Sequence, residues 1–520
     1  MPATEYILGV DIGTTSTKAV LFTTQGTVVN QHAVEYPLLS PAPTIQEQDP
    51  DEILAAVIQS VREVIEQSAI APAALIGMSF SAAMHSLIAV DQNGTPLTQS
   101  ITWADRRSAG WVSKIRENYH GQAIYHRTGT PIHPMSPFVK LVWLRHEQPD
   151  LFARAAKFIS IKEYILHQWF GEYAVDYSIA NATGLFNMET MDWDAEALEV
   201  AGITRDRLSP LVPTTHILTG IKGDYAQQMK ISEQLPVVIG SSDGVLANLG
   251  VGAIKTGIVA VTVGTSGAIR TVLDHPETDP DEKLFCYALT EKHWVVGGAV
   301  NNGGLILRWV RDNLGDVEVD TANLLEEDPY NLLTAIAANV PPGSEGLIFH
   351  PYLAGERSPL WDANARGSLF GLALHHHKAH IIRAVLEGIV YNLNVVLEAL
   401  RMAVNPITSI RATGGFARSE LWLQMLADIF NQEVVVPESY ESSCFGAAIL
   451  GLYALERIPS LEHGSTLIGE TYRYQPNPEN VAQYQQVIPL YNHLLEQFRP
   501  LYGEIARVQE ALAKDATQIG

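Results

Sequence analysis

The sequence predicts an α/β protein of two related domains, on three observations. Short apolar, β-rich runs alternate with amphipathic helical segments along the chain. A glycine-threonine turn flanked by apolar runs occurs twice, as Val10-Asp11-Ile12-Gly13-Thr14-Thr15-Ser16 and as Val261-Thr262-Val263-Gly264-Thr265-Ser266-Gly267, about half of the 520 residues apart. Hydrophobic residues make up 47% and charged residues 18%, enough apolar side chain for two sizeable cores.

Taken in order, YILGVDIG, TKAVLFT and VVNQHAVEY read as three successive strands within residues 6–36, an antiparallel meander. Residues 50–68 carry apolar side chains at helical spacing, from Ile53 and Leu54 through Val57, Ile58 and Val61 to Ile65. Asp49 is placed to cap that helix, with Pro50 at its first position. ALIGMSF follows as a buried strand, and SLIAVDQNGTPL as a strand with an Asn-Gly turn. The second half repeats the order. GIVAVTVGTSGAIRTVL (257–273) reads strand, turn, strand, KHWVVGGAV is an apolar strand, and NGGLILRWVRDNL starts a helix. Residues 380–403 form a strong amphipathic helix. SIRATGG, SELWLQMLADIFN, EVVVPE and CFGAAILGLYALE continue as strand, helix, strand and helix, and 477–514 as a helical end segment. The expected division is 1–250, 251–470 and a helical extension, 471–520.

The formal charge of −23 argues against nucleic acid as the main partner, because a phosphate backbone needs a basic face. Small anions remain open, since backbone N–H groups and a few local cations suffice. Cys286 and Cys444 form no metal or disulfide spacing, and the first residues have no basic n-region, so a cytoplasmic protein without a signal peptide is expected. Residues 69–90 lack Asp, Glu, Lys and Arg, but Pro72, Gly77, three serines and His85 interrupt them, which fits a core strand pair rather than a membrane span.

The turn at 11–17 offers backbone N–H groups, the hydroxyls of Thr14, Thr15, Ser16 and Thr17, and the charge of Lys18, a set suited to phosphate oxygens. Asp11 suits Mg²⁺ beside a phosphate. Read alone, the stretch is equally a hairpin turn of small residues; its second copy, with Thr262 in place of the acid, favours the phosphate reading. Asp243, in IGSSDGVLANLG, ends an apolar strand, where a carboxylate serves as a general base or as a helix cap. His375-His376-His377 with His380 invites a metal, but no acid stands at ligand-like spacing, and a solvated helix entry is the expectation.

Asp11-Ile12-Gly13-Thr14-Thr15-Ser16, Gly240-Ser241-Ser242-Asp243-Gly244, Gly264-Thr265-Ser266, GERSPLWDANARGSLFGL (355–372) and GGFARSELWLQMLADIFNQEV (414–434) together resemble the FGGY-type carbohydrate kinases, the group of glycerol kinase, xylulokinase and gluconokinase. The resemblance covers nearly the whole chain. It implies two actin-like, ribonuclease-H-like ATPase domains with a cleft between them, ATP and Mg²⁺ as cofactors, and Asp243 as the catalytic base. It implies metal at Asp11 and Asp243, and nucleotide contacts at Gly13, Thr14, Thr15, Ser16, Lys18, Gly264, Thr265, Gly304, Arg308, Gly415 and Ser419. Met84-His85 and Trp103-Ala104-Asp105-Arg106-Arg107 resemble the family's sugar-side segments, with Met84, His85, Trp103, Asp105, Arg106 and Asp243 on the substrate. His85 also reads as a satisfied core histidine, and Arg106 as an ion-pair partner of Asp105.

Ala83 stands where xylulokinases show Gln and Gly244 where they show Asn. FSAAMHSLIAVDQNG, SITWADRRS and YHRTGTPIHPMSPFVKLVWLRHEQP resemble gluconokinases, so the expected reaction is phosphorylation of the C6 hydroxyl of D-gluconate, with xylulose or another polyol or ketose as the alternative. A sugar acid needs a cation, with Arg106, Arg107, Arg127 and His133 as candidates. The expected partners are ATP and a small sugar acid, with no nucleic acid and no membrane; a homodimer is left open. A non-enzymatic actin-like ATPase is the more distant reading.

Overall fold

Alternating apolar residues near the N-terminus fold into β1 (Tyr6–Ile12), β2 (Ser16–Thr23) and β3 (Val28–Glu35), an antiparallel meander with Asp11 opposite Lys18 and Ile12 opposite Thr17. The structure, a computed structural model, describes residues 4–404, 406–438 and 441–519. Helix α1 (Pro50–Ser68) begins where the sequence predicts: Pro50 opens it, and the Asp49 carboxylate accepts the N–H groups of Asp51 and Glu52. Strand β4 (Leu75–Ala82) runs parallel to β1. A long segment then includes α2 (Pro137–Glu147) and α3 (Ile161–Phe170) before β5 (Val237–Ser242) returns parallel to β4 and leads directly into α4 (Asp243–Gly250). The sheet order is β5-β4-β1-β2-β3, with the short strand Ile217–Leu218 outside β5.

On one face of this sheet, Leu8, Val10, Ile12 and Phe80 bury against Ile53, Val57 and Val61 of α1 and Trp169 of α3. On the other face lies the helix Ser442–Ala454. It comes so close that a Cβ on Gly9 would sit 2.1 Å from the Cys444 carbonyl oxygen, and one on Gly451 2.7 Å from the Ile7 side chain. The same helix crosses α4 backbone to backbone, through Gly446 against the Leu246 carbonyl and Gly250 against the Ser442 carbonyl. Residues 69–90, uncharged in sequence, include β4, a loop and the buried strand Ile88–Val90, two core strands as expected, the second paired with Lys157–Ile159 in a separate sheet.

In the second half, β6 (Ile258–Val263) and β7 (Gly267–Leu273) form the hairpin of the second glycine-threonine turn. Helices α5 (Gly304–Leu314) and α6 (Lys378–Ala403) follow, then β8 (Ser409–Thr413), parallel to β6. Helix α7 (Glu420–Phe430) leads to β9 (Val434–Pro437), parallel to β8, and β10 (Glu470–Tyr474) pairs antiparallel with β9. Each half therefore has a hairpin whose first strand takes a parallel strand on its other side, the internal repeat that the paired turns predict. Among the described residues, only α6 is long and apolar enough to cross a membrane, and 89% of its most apolar window is buried inside the protein.

The chain forms two compact units, one of residues 1–256, 272–296 and 441–469, the other of 257–271, 297–440 and 470–520. They differ from the linear division at 250 and 470. Residues 441–469 carry the helix that covers the first sheet, and a contiguous boundary cannot express a segment that returns to an earlier sheet.

The crossing of α4 with the helix Ser442–Ala454 sets a test. Gly446→Val places a Cβ 1.9 Å from the Leu246 carbonyl oxygen, and neither backbone can yield without moving a helix, so the expected loss is about 1–3 kcal/mol. It is read as a thermal midpoint several degrees lower; an unchanged midpoint contradicts the tight crossing.

Candidate active site

The C-terminal ends of three parallel strands bring acidic and hydroxyl side chains to one edge of the first sheet. Asp11 on β1, Ser81 on β4 and Ser241 on β5 are register partners in one rung, and Asp243 follows two residues beyond Ser241. Strand spacing sets Asp11 and Ser241 about 10 Å apart at the backbone. Ser81 Oγ donates to Asp11 Oδ1 at 2.5 Å. Burial, and after it the charge of Asp243, pushes the Asp11 carboxyl up to about 7, with the Ser81 hydrogen bond and Lys18 opposing. A carboxylate in that state favours an added cation.

Asp243 is the first residue of α4, but the N-cap position belongs to Ser242. The Asp243 side chain accepts its neighbour's N–H, from Gly244, at 2.7 Å. The junction beneath it is fixed by groups that sequence reasoning missed. Lys162 of α3 pairs with Asp176 at 2.6 Å, both buried, and donates to the Ser241 carbonyl at 3.3 Å. Asp176 in turn caps the helix Tyr177–Ala182, whose Ser178 hydroxyl bonds Ser242 Oγ at 2.9 Å. Burial lowers the Lys162 ammonium, with Asp176 opposing. A lysine within ISIKEYIL, a run otherwise largely apolar, is the signal that could have found this pair.

Around the first turn, the Gly13 N–H donates to the Ser16 carbonyl at 3.0 Å, so it closes the turn instead of facing a ligand. The Tyr36 hydroxyl donates to the Gly13 carbonyl at 2.7 Å, and Trp103 Nε1–H to Thr14 Oγ1 at 3.0 Å. Thr14, Thr15 and Ser16 keep partial or full exposure at the tip. Lys18 is not the unopposed charge the sequence implies: its ammonium is held by both Glu441 carboxylate oxygens at 2.8 Å. Glu441 lies 423 residues away, and no local signal announces it.

The sugar-side residues gather in the same unit. His85 is buried and holds a left-handed backbone, φ 70°. Its Nδ1–H donates to the Ala182 carbonyl at 2.7 Å, which leaves Nε2 as the acceptor facing the Tyr287 hydroxyl at 3.4 Å. Met84 and Trp103 are half-buried. Asp105 pairs with Arg107, Nε to Oδ2 at 2.9 Å, and Glu47 holds the other end of that guanidinium. The partner that the sequence offers for Asp105, Arg106, is exposed instead. Arg127 is bound by Asp194 and Glu196, and His133 Nδ1 accepts the Met135 N–H.

In the other unit, one cavity of about 320 Å³ is lined by all six nucleotide-side residues expected there: Gly264, Thr265, Gly304, Arg308, Gly415 and Ser419. Tyr330, Phe416 and Trp422 add aromatic walls that sequence reasoning missed. The Gly264 N–H closes its turn on the Ser266 carbonyl at 2.9 Å, and the Gly264 carbonyl accepts the Gly304 N–H at 2.7 Å. A Cβ on Gly304 would sit 2.7 Å from that carbonyl oxygen, so this glycine lets α5 begin against the turn. Ser419 caps α7. In the GERSP segment, buried Glu356 accepts from the side chains of Asn302 and Asn392 and the backbone of Asn301 and Arg357, a structural hub rather than a chemical group.

The histidine cluster does meet an acid. Glu345, 30 or more residues upstream, lies 3.4 Å from the Nε2 atoms of His375 and His380. But Nδ1 of His376 accepts the Ala373 N–H, and Nδ1 of His380 the His377 N–H, so the neutral rings carry their protons on Nε2. His377 and His380 form the cap at the start of α6, while Glu345, His375 and His376 place ligand-type atoms within 4.8 Å of one another, so the acid that the sequence spacing did not offer is supplied by the fold.

Comparison with known proteins gives the family. The N-terminal domain of the FGGY family of carbohydrate kinases matches residues 6–250, and its C-terminal domain residues 259–455. A gluconokinase of Bacillus subtilis (strain 168) is 54% identical over 98% of this chain and 99% of its own. A xylulose kinase of Staphylococcus epidermidis is 30% identical over 97% of this chain and 99% of its own. The crystal structure of gluconate kinase from Lactobacillus acidophilus superposes with a TM-score of 0.92 at 37% identity, covering 97% of this chain and all of that one. The chain belongs to the FGGY family of carbohydrate kinases.

Proposed function

We propose that this kinase acts in the cytoplasm and transfers the γ-phosphoryl group of ATP to the C6 hydroxyl of D-gluconate, giving 6-phosphogluconate and ADP, with Asp243 as general base. The observation that carries the chemistry is the placement of Asp243 at the end of β5, electrostatically coupled to Asp11, in the unit that also holds His85 and Trp103. The 54% identity to a gluconokinase, against 30% to a xylulose kinase, supports gluconate over the ketose.

In this reading the Asp243 carboxylate accepts the hydroxyl proton as the oxygen bonds to phosphorus and the bond to ADP breaks. The base and sugar of ATP occupy the cavity lined by Gly304, Arg308, Gly415 and Ser419, with the phosphates toward Thr265. Thr14, Thr15 and Ser16 supply hydroxyls to phosphate. Lys18, neutralised by Glu441, orients the hairpin. The edge formed by His85 and its partner Tyr287 meets a sugar hydroxyl, and Trp103 packs on the carbon chain. Asp11 and Asp243 suit Mg²⁺, because their mutual repulsion is relieved by a divalent cation; when bound, that ion supplies neutralisation of phosphate charge. The substrate carboxylate falls to Arg106, since Arg107 and Arg127 already hold acids of the protein.

ADP release measured side by side with gluconate, xylulose, glycerol and ribulose tests the substrate: gluconate gives the highest kcat/KM, and equal or better turnover of another sugar overturns the assignment. Asp243→Asn lowers kcat about 10³-fold or more while ATP affinity changes less than about three-fold; a variant that keeps much of its turnover removes the base role. Arg106→Ala raises the gluconate KM about ten-fold or more and leaves residual xylulose turnover unchanged. Equal effects on both sugars exclude a carboxylate contact. In Asp11→Asn the Mg²⁺ concentration for half-maximal rate rises about ten-fold; no change excludes Asp11 from the metal.

A further inference from the structure

Lys140 lies in α2, in a segment that the chemistry above does not use. Its side chain is fully buried, a state lysines almost never occupy without a partner. Here no carboxylate oxygen bonds it. Its ammonium donates to the carbonyl oxygens of His85 at 2.6 Å, Thr102 at 2.8 Å and Met135 at 2.8 Å, with the Ile101 carbonyl at 3.4 Å. Three donors thus meet three strands of backbone that are remote in sequence. Burial pulls the ammonium down to about 7, against the charge of Asp105, so retaining it in the core is costly.

The gripped carbonyls are not arbitrary. One belongs to His85, whose left-handed backbone needs external support. Another belongs to Thr102, the residue before Trp103, whose indole N–H reaches Thr14. A single cation therefore sets the spacing between the histidine and the indole. A fourth-residue position in α2, with Ser136 as N-cap and Pro137 opening the helix, fixes where that cation stands.

We propose that Lys140 is a positioning residue for the sugar site, locking the His85 and Trp103 backbones into the spacing that the substrate requires. The proposal rests on the reading that His85 and Trp103 contact the sugar. Lys140 touches no reacting atom; it acts through the two loops.

The test measures steady-state constants for Lys140→Met, which keeps length and removes the donors, Lys140→Arg, which keeps a cation, and His85→Ala, all in the full chain. Lys140→Met raises the gluconate KM about ten-fold or more, with ATP KM and kcat at saturating gluconate within about three-fold of the parent. Lys140→Arg recovers part of that loss. If kcat falls and the gluconate KM stays, or if ATP KM rises equally, Lys140 is not a positioner of the sugar site. If neither variant yields a folded protein by circular dichroism and thermal melting, Lys140 belongs to the fold and the proposal is overturned. His85→Ala separates the two claims: an unchanged gluconate KM there removes the sugar-site reading itself, whereas a raised KM there with normal Lys140 variants removes only the present inference.

Discussion

Two carboxylates at the ends of parallel strands, with a single strand between them, repel each other, and much of the N-terminal unit serves to hold them in place. Asp11 cannot move away because β1 is hydrogen-bonded on both sides, to β2 and to β4. Asp243 cannot move because Ser241 and Ser242, immediately before it, are bonded to Lys162 and Ser178. Half-buried Lys18 is already matched to Glu441, so it eases the repulsion only in part. The result is a concentration of negative charge at a strand edge, the condition that perturbs Asp11 and that an added cation would relieve.

The two hairpin turns show one backbone device given different surroundings. In both, the glycine N–H closes onto a carbonyl two or three residues on, so the glycines shape the turn and are not themselves donors to a ligand. The first turn is then braced by side chains, Tyr36 and Trp103, and carries an acid before its glycine. The second is braced by backbone, through Gly304, with Thr262 in the acid's position. An acid on one turn and a hydroxyl on the other is a division of labour between charge and hydrogen bonding.

Much of this was legible in the sequence because it is local. A cap such as Asp49, a helix start such as Pro50 and a carboxylate that ends a strand such as Asp243 are decided by neighbours in the chain. The six residues that the family resemblance implies for nucleotide line one cavity: Gly264, Thr265, Gly415 and Ser419 sit in turns or caps, Gly304 opens α5 and Arg308 lies within it. What escaped was decided over distance. Lys18 looks like a phosphate ligand until Glu441 arrives with a helix from the far end of the chain, and the histidines look acid-free until Glu345 folds against them. Adjacent Arg106 and Arg107 have the same composition and charge. Only the fold decides that the second turns onto Asp105 and the first to solvent.

That difference between neighbours bears on how a protein of net charge −23 can attract a sugar acid at all. At physiological ionic strength the field of distant surface charge decays over about 8 Å, so the total matters less than the groups within that reach. The buried cations cannot help: Lys162 answers Asp176, and Lys140 answers four carbonyls. Arg107 and Arg127 are each locked between two acids. In the proposed reading, anion recognition depends on a guanidinium that holds no acid of the protein, and among the sequence candidates Arg106, three residues from the Trp103 indole, meets that condition. If Arg106 holds the substrate carboxylate as proposed, selectivity for a carboxylate-bearing sugar over a neutral ketose follows from that one charge, while the proposed base, turns and cavity would serve either substrate alike.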